Sequence, residues 1–375
     1  VRKISLLFAL GIIILETVQG QENPIYVMND YWAGDFIEHA SSAFKSSAVD
    51  AYASDLGFSN PAGVTNLNGT NFGLAYSYRS PVAYRISSQT DVNAVPRQYP
   101  RSLFISHELK YFVFAVGYNQ KYSYEYGSDF EIGTEENPEG TGEFAKWGTN
   151  SYIDQISFTF GKTYSSARMP IAINLGFDLK YNMAFEHKYI WNESSKAYSN
   201  FLSGSVGLIL RYNSNVSVGA YYSPGINHEF ENTYNFQFGS AIYYQYHVIL
   251  PHKLTLGFTQ SFEKFTIAGT LQKTSWQNLD CLRDDILDYS LSLSYIISKY
   301  IALGIGGSSI HHNGDDQPIN CFITPPVKHE LFLTFGLEIK PTRNIEIGLF
   351  VIALPYKKDE YLDRDHLSIS INMGI

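Results

Sequence analysis

From Asn71 to the C-terminus the chain repeats one pattern: a run of about ten residues alternating apolar and polar, a short turn, a second alternating run, then a longer polar loop. A period of two places successive side chains on opposite faces of an extended strand. Between 170 and 191, Ile171, Ile173, Leu175, Phe177, Leu179, Tyr181, Met183 and Phe185 share one face, and Asn174, Gly176, Asp178, Lys180, Asn182, Glu186 and Lys188 the other. Near the C-terminus Leu367, Ile369, Ile371 and Met373 alternate with Ser368, Ser370, Asn372 and Gly374. One face suits hydrocarbon and the other suits water. Charges turned inward would ruin the core of a sandwich, which weakens the rival reading as a secreted β-sandwich or solenoid. They are ordinary inside a wet barrel.

Fourteen such strands are expected, near 71–80, 101–109, 111–126, 150–162, 170–190, 200–212, 215–229, 252–262, 265–276, 286–297, 301–310, 328–339, 344–354 and 366–375. Lys110, 213–214, 263–264, 298–300 and 340–343 read as tight turns, while the intervening loops are longer and rich in Asp, Glu, Asn, Gly and Pro. Short turns at one rim and long loops at the other are the asymmetry of an outer-membrane barrel. In lipid every backbone N–H and C=O must be paired within the protein, and a chain without helix candidates can do so only as a closed antiparallel barrel. The fold class is therefore all-β, a transmembrane barrel of about fourteen strands. Tyr118, Tyr122, Tyr124 and Tyr126 would join its aromatic girdle.

Composition agrees. Aromatic residues make up 15% of the chain and charged residues 17%, well under the roughly 25% of soluble domains, yet the mean hydropathy is only −0.14. The net charge is −9. Residues 1–20 read as a signal peptide, with basic Arg2 and Lys3, an apolar stretch from Leu6 to Leu15 and small residues before Gln21. Because that segment carries Arg2, Lys3 and Glu16, its removal makes the charge one unit more negative. Such a balance argues against nucleic acid as a partner.

Residues 21–70 do not alternate, and 38–58 are Ala- and Ser-rich with mild helical character. They are expected to fill the lumen as an N-terminal hatch, followed by the barrel at 71–375. A turn, Asn60-Pro61-Ala62-Gly63, ends the hatch, and Phe72, Leu74, Tyr76 and Tyr78 begin the lipid-facing stripe, with Gly73, Ala75, Ser77 and Arg79 inward.

This order of export signal, small-residue segment, Asn60-Pro61-Ala62-Gly63 motif and barrel resembles the FadL-type transporters of long-chain fatty acids and hydrocarbons in bacterial outer membranes. Residues 219–231, "GAYYSPGINHEFE", and 250–276, "LPHKLTLGFTQSFEKFTIAGTLQKTSW", are similar to strands of that family. The resemblance implies an outer-membrane channel for passive uptake of long-chain fatty acids or other hydrophobic small molecules. It also implies a monomer surrounded by membrane lipid and lipopolysaccharide, needing no cofactor. The alternatives are a barrel of the same kind serving as a partner-binding component of protein export or surface assembly, and a general porin. An outer-membrane phospholipase is disfavoured, because no inward Ser, His and acid triplet is evident in the sequence.

Phe236, Phe238, Ile242, Tyr243 and Tyr244 are more apolar than a solvated loop tolerates, and read either as an outer ligand groove or as a lid packed over the barrel mouth. Lys180, Lys188 and Arg283 are candidate partners for a ligand carboxylate; alternatively they pair with Asp178, Glu186 or Asp284. The run His311-His312-Asn313-Gly314-Asp315-Asp316 reads as a solvated loop or a lipopolysaccharide contact rather than a metal site. Cys281 and Cys321, the only cysteines, fall in consecutive outer loops of an exported chain and are expected to form a disulfide. Alkylation of the unreduced protein followed by mass spectrometry should leave both thiols unmodified; free alkylation of both would refute the bridge.

Overall fold

A computed structural model describes residues 23–25, 44, 46–49, 54, 56–57, 59–79, 83–87, 90–93, 97–131, 144–166, 169–190, 193–213, 215–235, 241–275, 285–310, 330–353 and 366–375. The elements begin with β1 (Asn23–Ile25), a 3-10 helix (Pro61–Asn66), β2 (Thr70–Arg79), β3 (Ala83–Ser87), β4 (Thr90–Asn93), β5 (Arg97–Glu108) and β6 (Val113–Glu131). They continue with β7 (Phe144–Ser166), β8 (Met169–Ile190), β9 (Glu193–Tyr212), β10 (Val216–Ser223), β11 (Ile226–Asn235), β12 (Ala241–Leu250) and β13 (His252–Ser261). The last are β14 (Phe265–Ser275), β15 (Ile286–Ser298), β16 (Ile301–Ile310), β17 (Glu330–Thr342), β18 (Ile345–Ala353) and β19 (His366–Gly374).

Fourteen of these strands form a closed ring, in the order β2, β5, β6, β7, β8, β9, β10, β13, β14, β15, β16, β17, β18, β19 and back to β2. They match the fourteen expected strands one for one. Each ring pairing is antiparallel, so every strand of the ring has a partner on both sides. The two ends of the ring meet at the short-turn rim, where Ile375 N–H donates to the Thr70 carbonyl at 2.8 Å. The β9–β10 turn at that rim holds Asn213 at φ 55°, a left-handed conformation that asparagine tolerates better than most residues.

Alternation in the sequence becomes outside and inside. Leu175 is 44% exposed and Phe177 50%, while Asn174 before them and Asp178 after them are 1% and 4%. Leu74 and Tyr76 face out and Ala75 and Ser77 in; Leu367 and Ile371 face out and Ser368 and Ser370 in. The inner surface is therefore Ser, Thr, Asn and Gly, and the outer surface a continuous apolar band. Two belts bound that band. At the short-turn rim Lys110, Lys162 and Lys299 lie over the rings of Tyr111, Tyr164 and Tyr300 at 5.2, 4.8 and 4.8 Å. Toward the long loops Phe185 packs between Tyr152 at 4.7 Å and Tyr198 at 4.9 Å, and the Tyr118 hydroxyl donates to Asp154 at 2.8 Å. Rings with a polar tip or cationic neighbour belong at such an interface.

The strands are unequal. β6, β7, β8 and β9 run for 19, 23, 22 and 20 residues, whereas about 10 cross a membrane. At ~3.3 Å per residue and ~40° tilt, β7 stands roughly 58 Å tall against an apolar band of ~25 Å. That side of the wall rises well beyond the membrane on the long-loop side.

Two loop expectations are corrected. Of the loop expected over 233–250, the described residues 233–235 and 241–250 are strand: β11 and β12 pair as an antiparallel ribbon, with Ile242, Tyr243 and Tyr244 opposite Tyr234, Thr233 and Asn232, and β1 adds in parallel to β12. The seventh barrel strand stops at Ser223, well before 229, because Pro224 has no N–H to give a ladder. The long polar backbone beyond it satisfies itself as a separate sheet.

Depth within the apolar band sets the cost of a charge. Leu175→Arg should destabilise the barrel by about 2–4 kcal/mol, and Tyr164→Arg at the rim by about 0–1 kcal/mol, measured by equilibrium folding into lipid bilayers.

Candidate functional site: the lumen and the segment that crosses it

Every described residue from Phe44 to Val64 is buried or nearly so, and these residues touch the inner faces of strands on opposite sides of the ring. The Phe44 ring meets Phe350 of β18 edge-on at 5.9 Å, and the Ser46 hydroxyl bonds Thr270 of β14 at 2.8 Å. Ser54 N–H donates to Asn372 of β19 at 3.0 Å, and its carbonyl accepts from Ser102 of β5 at 2.6 Å. Leu56 and Val64 form one buried cluster with Phe104, Val113 and Ala115 of β5 and β6; Val49 and Ala62 form another with Ile209 of β9. The segment crosses the lumen.

Asn60 holds its centre. The side chain caps the 3-10 helix, Oδ1 accepting from the Ala62 N–H at 2.9 Å. Pro61 follows in the first turn, where its locked φ and missing N–H cost nothing. Nδ2 points the other way and donates to the Ala48 carbonyl at 2.7 Å and to those of Leu208 and Ala220 at 3.1 Å each. Leu208 and Ala220 are partners across the β9–β10 ladder, so one carboxamide ties segment and wall together. Two N–H bonds serve three carbonyls, so one is shared. A Ser or Asp cap could accept from Ala62 but could not satisfy this cluster of acceptors; only a carboxamide has both capacities.

The wall makes room by omitting side chains. Gly161 of β7 is the register partner of Gly176 of β8, which partners Gly207 of β9; two residues along, Gly219 of β10 partners Gly257 of β13. A Cβ at Gly207 would overlap the Asn60 carboxamide, one at Gly176 the Pro61–Ala62 backbone, and one at Gly219 the Ala48 carbonyl. Gly161 faces Val64 and Thr65, and Gly257 faces Ser46. This row forms a smooth inner seat, and its glycines are there for close approach of backbone to backbone.

Above the seat the inner wall climbs in polar rungs. Thr159, Asp178 and Ser205 form the first by register, and Ser157, Lys180 and Ser203 the second. Lys180 Nζ lies 3.0 Å from Asp178 Oδ2, and Asp178 Oδ1 accepts from Ser205 N–H at 2.6 Å. Lys180 is thus placed in the lumen, in the ion pair that sequence offered as the alternative to a ligand contact. On the third rung Asn119 Nδ2 donates to Gln155 at 2.8 Å, Gln155 to Asn182, and Asn182 to Ser203 at 2.8 Å and the Phe201 carbonyl at 3.1 Å. Chained amides of this kind stiffen four strands at one level.

Among the described residues, the seam between β5 and β6 is interrupted. The β5–β6 ladder runs from Glu108 opposite Val113 to Ser102 opposite Asn119 and ends, and β6 next pairs at Gly127 with Asn93 of β4. A register shift in β6–β7 falls at Gln120/Tyr122, and another in β2–β5 leaves Arg101 as the extra residue, fully buried on the inner side.

Of the other expected site residues, Phe236, Phe238, Arg283, Cys281, Cys321 and the run 311–316 lie outside the described residues, as do the side chains of Lys188, Ile242, Tyr243 and Tyr244. The glycine seat and Arg101 were not anticipated. Gly161, Gly176, Gly207, Gly219 and Gly257 all stand at inward positions of neighbouring strands, a signal present in the sequence; only the register aligns them. Arg101 sits where a bulge breaks the alternation, so no periodic pattern points to it.

Loss of buried hydrogen bonds typically costs about 1–3 kcal/mol when partners are left unsatisfied. Asn60→Ala, Asn60→Asp and Gly207→Val should each increase proteolytic cleavage within 44–67 while the barrel keeps its heat-modifiable migration. Loss of the folded barrel in Asn60→Ala would show that Asn60 supports the wall rather than the segment.

No protein-family model matches the chain, and no curated protein is significantly similar in sequence. Solved structures are similar in fold. A FadL homologue from Pseudomonas aeruginosa superposes with a TM-score of 0.62 at 11% identity over 89% of this chain and 97% of its own. The toluene transporter TodX of Pseudomonas putida gives 0.58 at 16% identity, covering 89% of this chain and 95% of that one. The toluene transporter TbuX of Ralstonia pickettii gives 0.58 at 11%, covering 90% and 97%. A closed fourteen-stranded ring with a buried N-terminal segment pinned at Asn60 is, by this likeness across most of its length, a barrel with the fold of the FadL-type transporters.

Proposed function

We propose that the chain is a bacterial outer-membrane channel through which hydrophobic small molecules, long-chain fatty acids or hydrocarbons among them, enter passively. The observation that carries this reading is the seat of residues 44–67: a segment that crosses the lumen yet is tied at its centre by a single carboxamide to wall carbonyls. A general porin needs an open wet lumen, and a buried crossing segment opposes that reading. The segment is the hatch, and its attachment is suited to release.

An apolar ligand gains about 0.8 kcal/mol for each CH₂ it buries, enough to concentrate it from water at the outer rim without any input of energy. Past the rim it meets the polar rungs, where Lys180 offers a charge-assisted contact to a carboxylate, in exchange for Asp178. The interruption above Asn119 lies beside Phe104, which packs with hatch residue Leu56. A ligand displaced there has a way sideways into lipid and need not force the hatch out. Similar barrels described as toluene transporters favour small hydrophobic cargo.

Two measurements test this. Protein purified with extensive delipidation should still release fatty acid or hydrocarbon in native mass spectrometry, and proteoliposomes should take up oleate several-fold faster than empty ones. Lys180→Met should slow oleate and leave a neutral hydrocarbon unaffected. Unchanged uptake in a deletion strain, with no bound lipid, would overturn the transporter reading.

A further inference from the structure

The ribbon of β11 and β12 does not belong to the wall, yet it touches the wall from within. β10 leaves the ring at Ser223, opposite Lys253 at the start of β13, while β9 continues upward from Val206, the register partner of Tyr222, to Glu193. In the space beside that tall stretch runs β11. Its His228 places Nε2 2.6 Å from the Ser199 hydroxyl and stacks on the Phe201 ring at 5.0 Å and 27°. Ser199 and Phe201 are both buried on the inner face of β9, so β11 leans into the lumen and not outward over the rim. By register, Ser199 sits one rung above the amide rung and Phe201 on it.

The geometry of the two ends of the ribbon is that of a hinge. The chain enters through Ser223-Pro224-Gly225 and returns through Pro251-His252. Neither proline can donate to a ladder, so the ribbon is uncoupled from β10 and β13 where it departs. The two ends are tied to each other: His252 Nδ1 accepts the Gly225 N–H at 2.9 Å and lies 2.8 Å from the Tyr222 hydroxyl, with the two rings stacked at 6.1 Å. With β1 paired along β12, the ribbon is a three-stranded sheet of its own, fit to move as a unit.

We propose that this sheet is an internal strap: it swings on the two proline-bearing connections clamped by His252, and is held shut across the long-loop end of the lumen by the His228 contact with Ser199 and Phe201. From Phe201 down to Gly207, six residues of β9 span roughly 20 Å of wall. The strap and hatch thus bound one stretch of lumen, containing the Asp178–Lys180 pair and the amide rung. A molecule entering from the long-loop side must lift the strap before it reaches the hatch. Among the described residues the latch comprises a hydrogen bond and a ring stack, weak enough to open on binding and strong enough to stay shut without it.

The test needs no ligand, so its failure is distinguishable from failure of the transport reading. With Cys281 and Cys321 replaced by serine, Ser203→Cys places a reporter thiol below the latch. Its reaction with a membrane-impermeant methanethiosulfonate, added from the long-loop side, should be slow. Ser199→Ala should speed labelling several-fold and His228→Gln, which also loses the stack on Phe201, about tenfold, and the double variant no more than His228→Gln alone, because the hydrogen bond is shared by both residues. Heat-modifiable migration checks the fold; Phe201→Leu, which keeps the hydrogen bond and loses the stack, should give a smaller acceleration. A labelling rate unchanged by any of these, or effects of Ser199→Ala and His228→Gln that multiply, would overturn the strap.

Discussion

The structure depends on one constraint: a strand in hydrocarbon has no water to bond its N–H and C=O groups, so each must find a partner in another strand. Closure of the ring follows, and from closure the rest. A ring of fourteen strands encloses an interior wider than its own short side chains can fill. The apolar side chains are committed to the outer face, which leaves Ser, Thr, Asn and Gly to line the inside. Such a wall cannot close the lumen, so the chain supplies residues 44–67 to cross it.

How that segment is held follows from the polarity of the wall. An apolar plug would find little apolar surface on most of the inner face, and among the described residues its apolar packing lies in two small clusters around Phe104 and Ile209 and in the ring contact of Phe44 with Phe350. Elsewhere the attachment is by hydrogen bonds: Asn60 to carbonyls of β9 and β10, Ser54 to Asn372 and Ser102, Ser46 to Thr270. Each such bond is worth only about 1 kcal/mol net, because wet partners can replace it. A seat built of glycine adds no interlocking side chains to disengage. The segment is fixed in one place without being irreversibly packed there.

The outer end is organised differently. β6 to β9 stand tall where β10 and β13 are short, and the ribbon between the short strands leans against the tall ones through His228. Between ribbon and crossing segment lie charged and amide groups already satisfied by one another, such as Lys180 by Asp178 and Asn182 by Gln155 and Ser203. These pairings hold neighbouring strands level, and leave Lys180 available to a carboxylate only by exchange. Of the two readings that sequence offered for Lys180, the structure holds the ion pair with Asp178.

Sequence alone determined the strands, their number, which face of each meets lipid, and the rim at which the ends meet, because a period of two and the spacing of turn residues are local properties. It also singled out Asn60-Pro61-Ala62-Gly63, read as the corner that ends the inner segment, whereas the stretch continues as a 3-10 helix to Asn66 with Asn60 at the segment's centre. Tertiary structure decided what those residues do. Gly161, Gly176 and Gly207 lie far apart in the chain and become a row only through the β7–β8 and β8–β9 registers. Arg101 turns inward through a bulge that no periodicity encodes, and residues 233–235 and 241–250, read as part of a loop, pair into a ribbon. His228 meets Ser199 because β10 ends early. Alternation specifies the face a side chain occupies, whereas which residue stands opposite depends on register and closure, which arise only when distant strands pair.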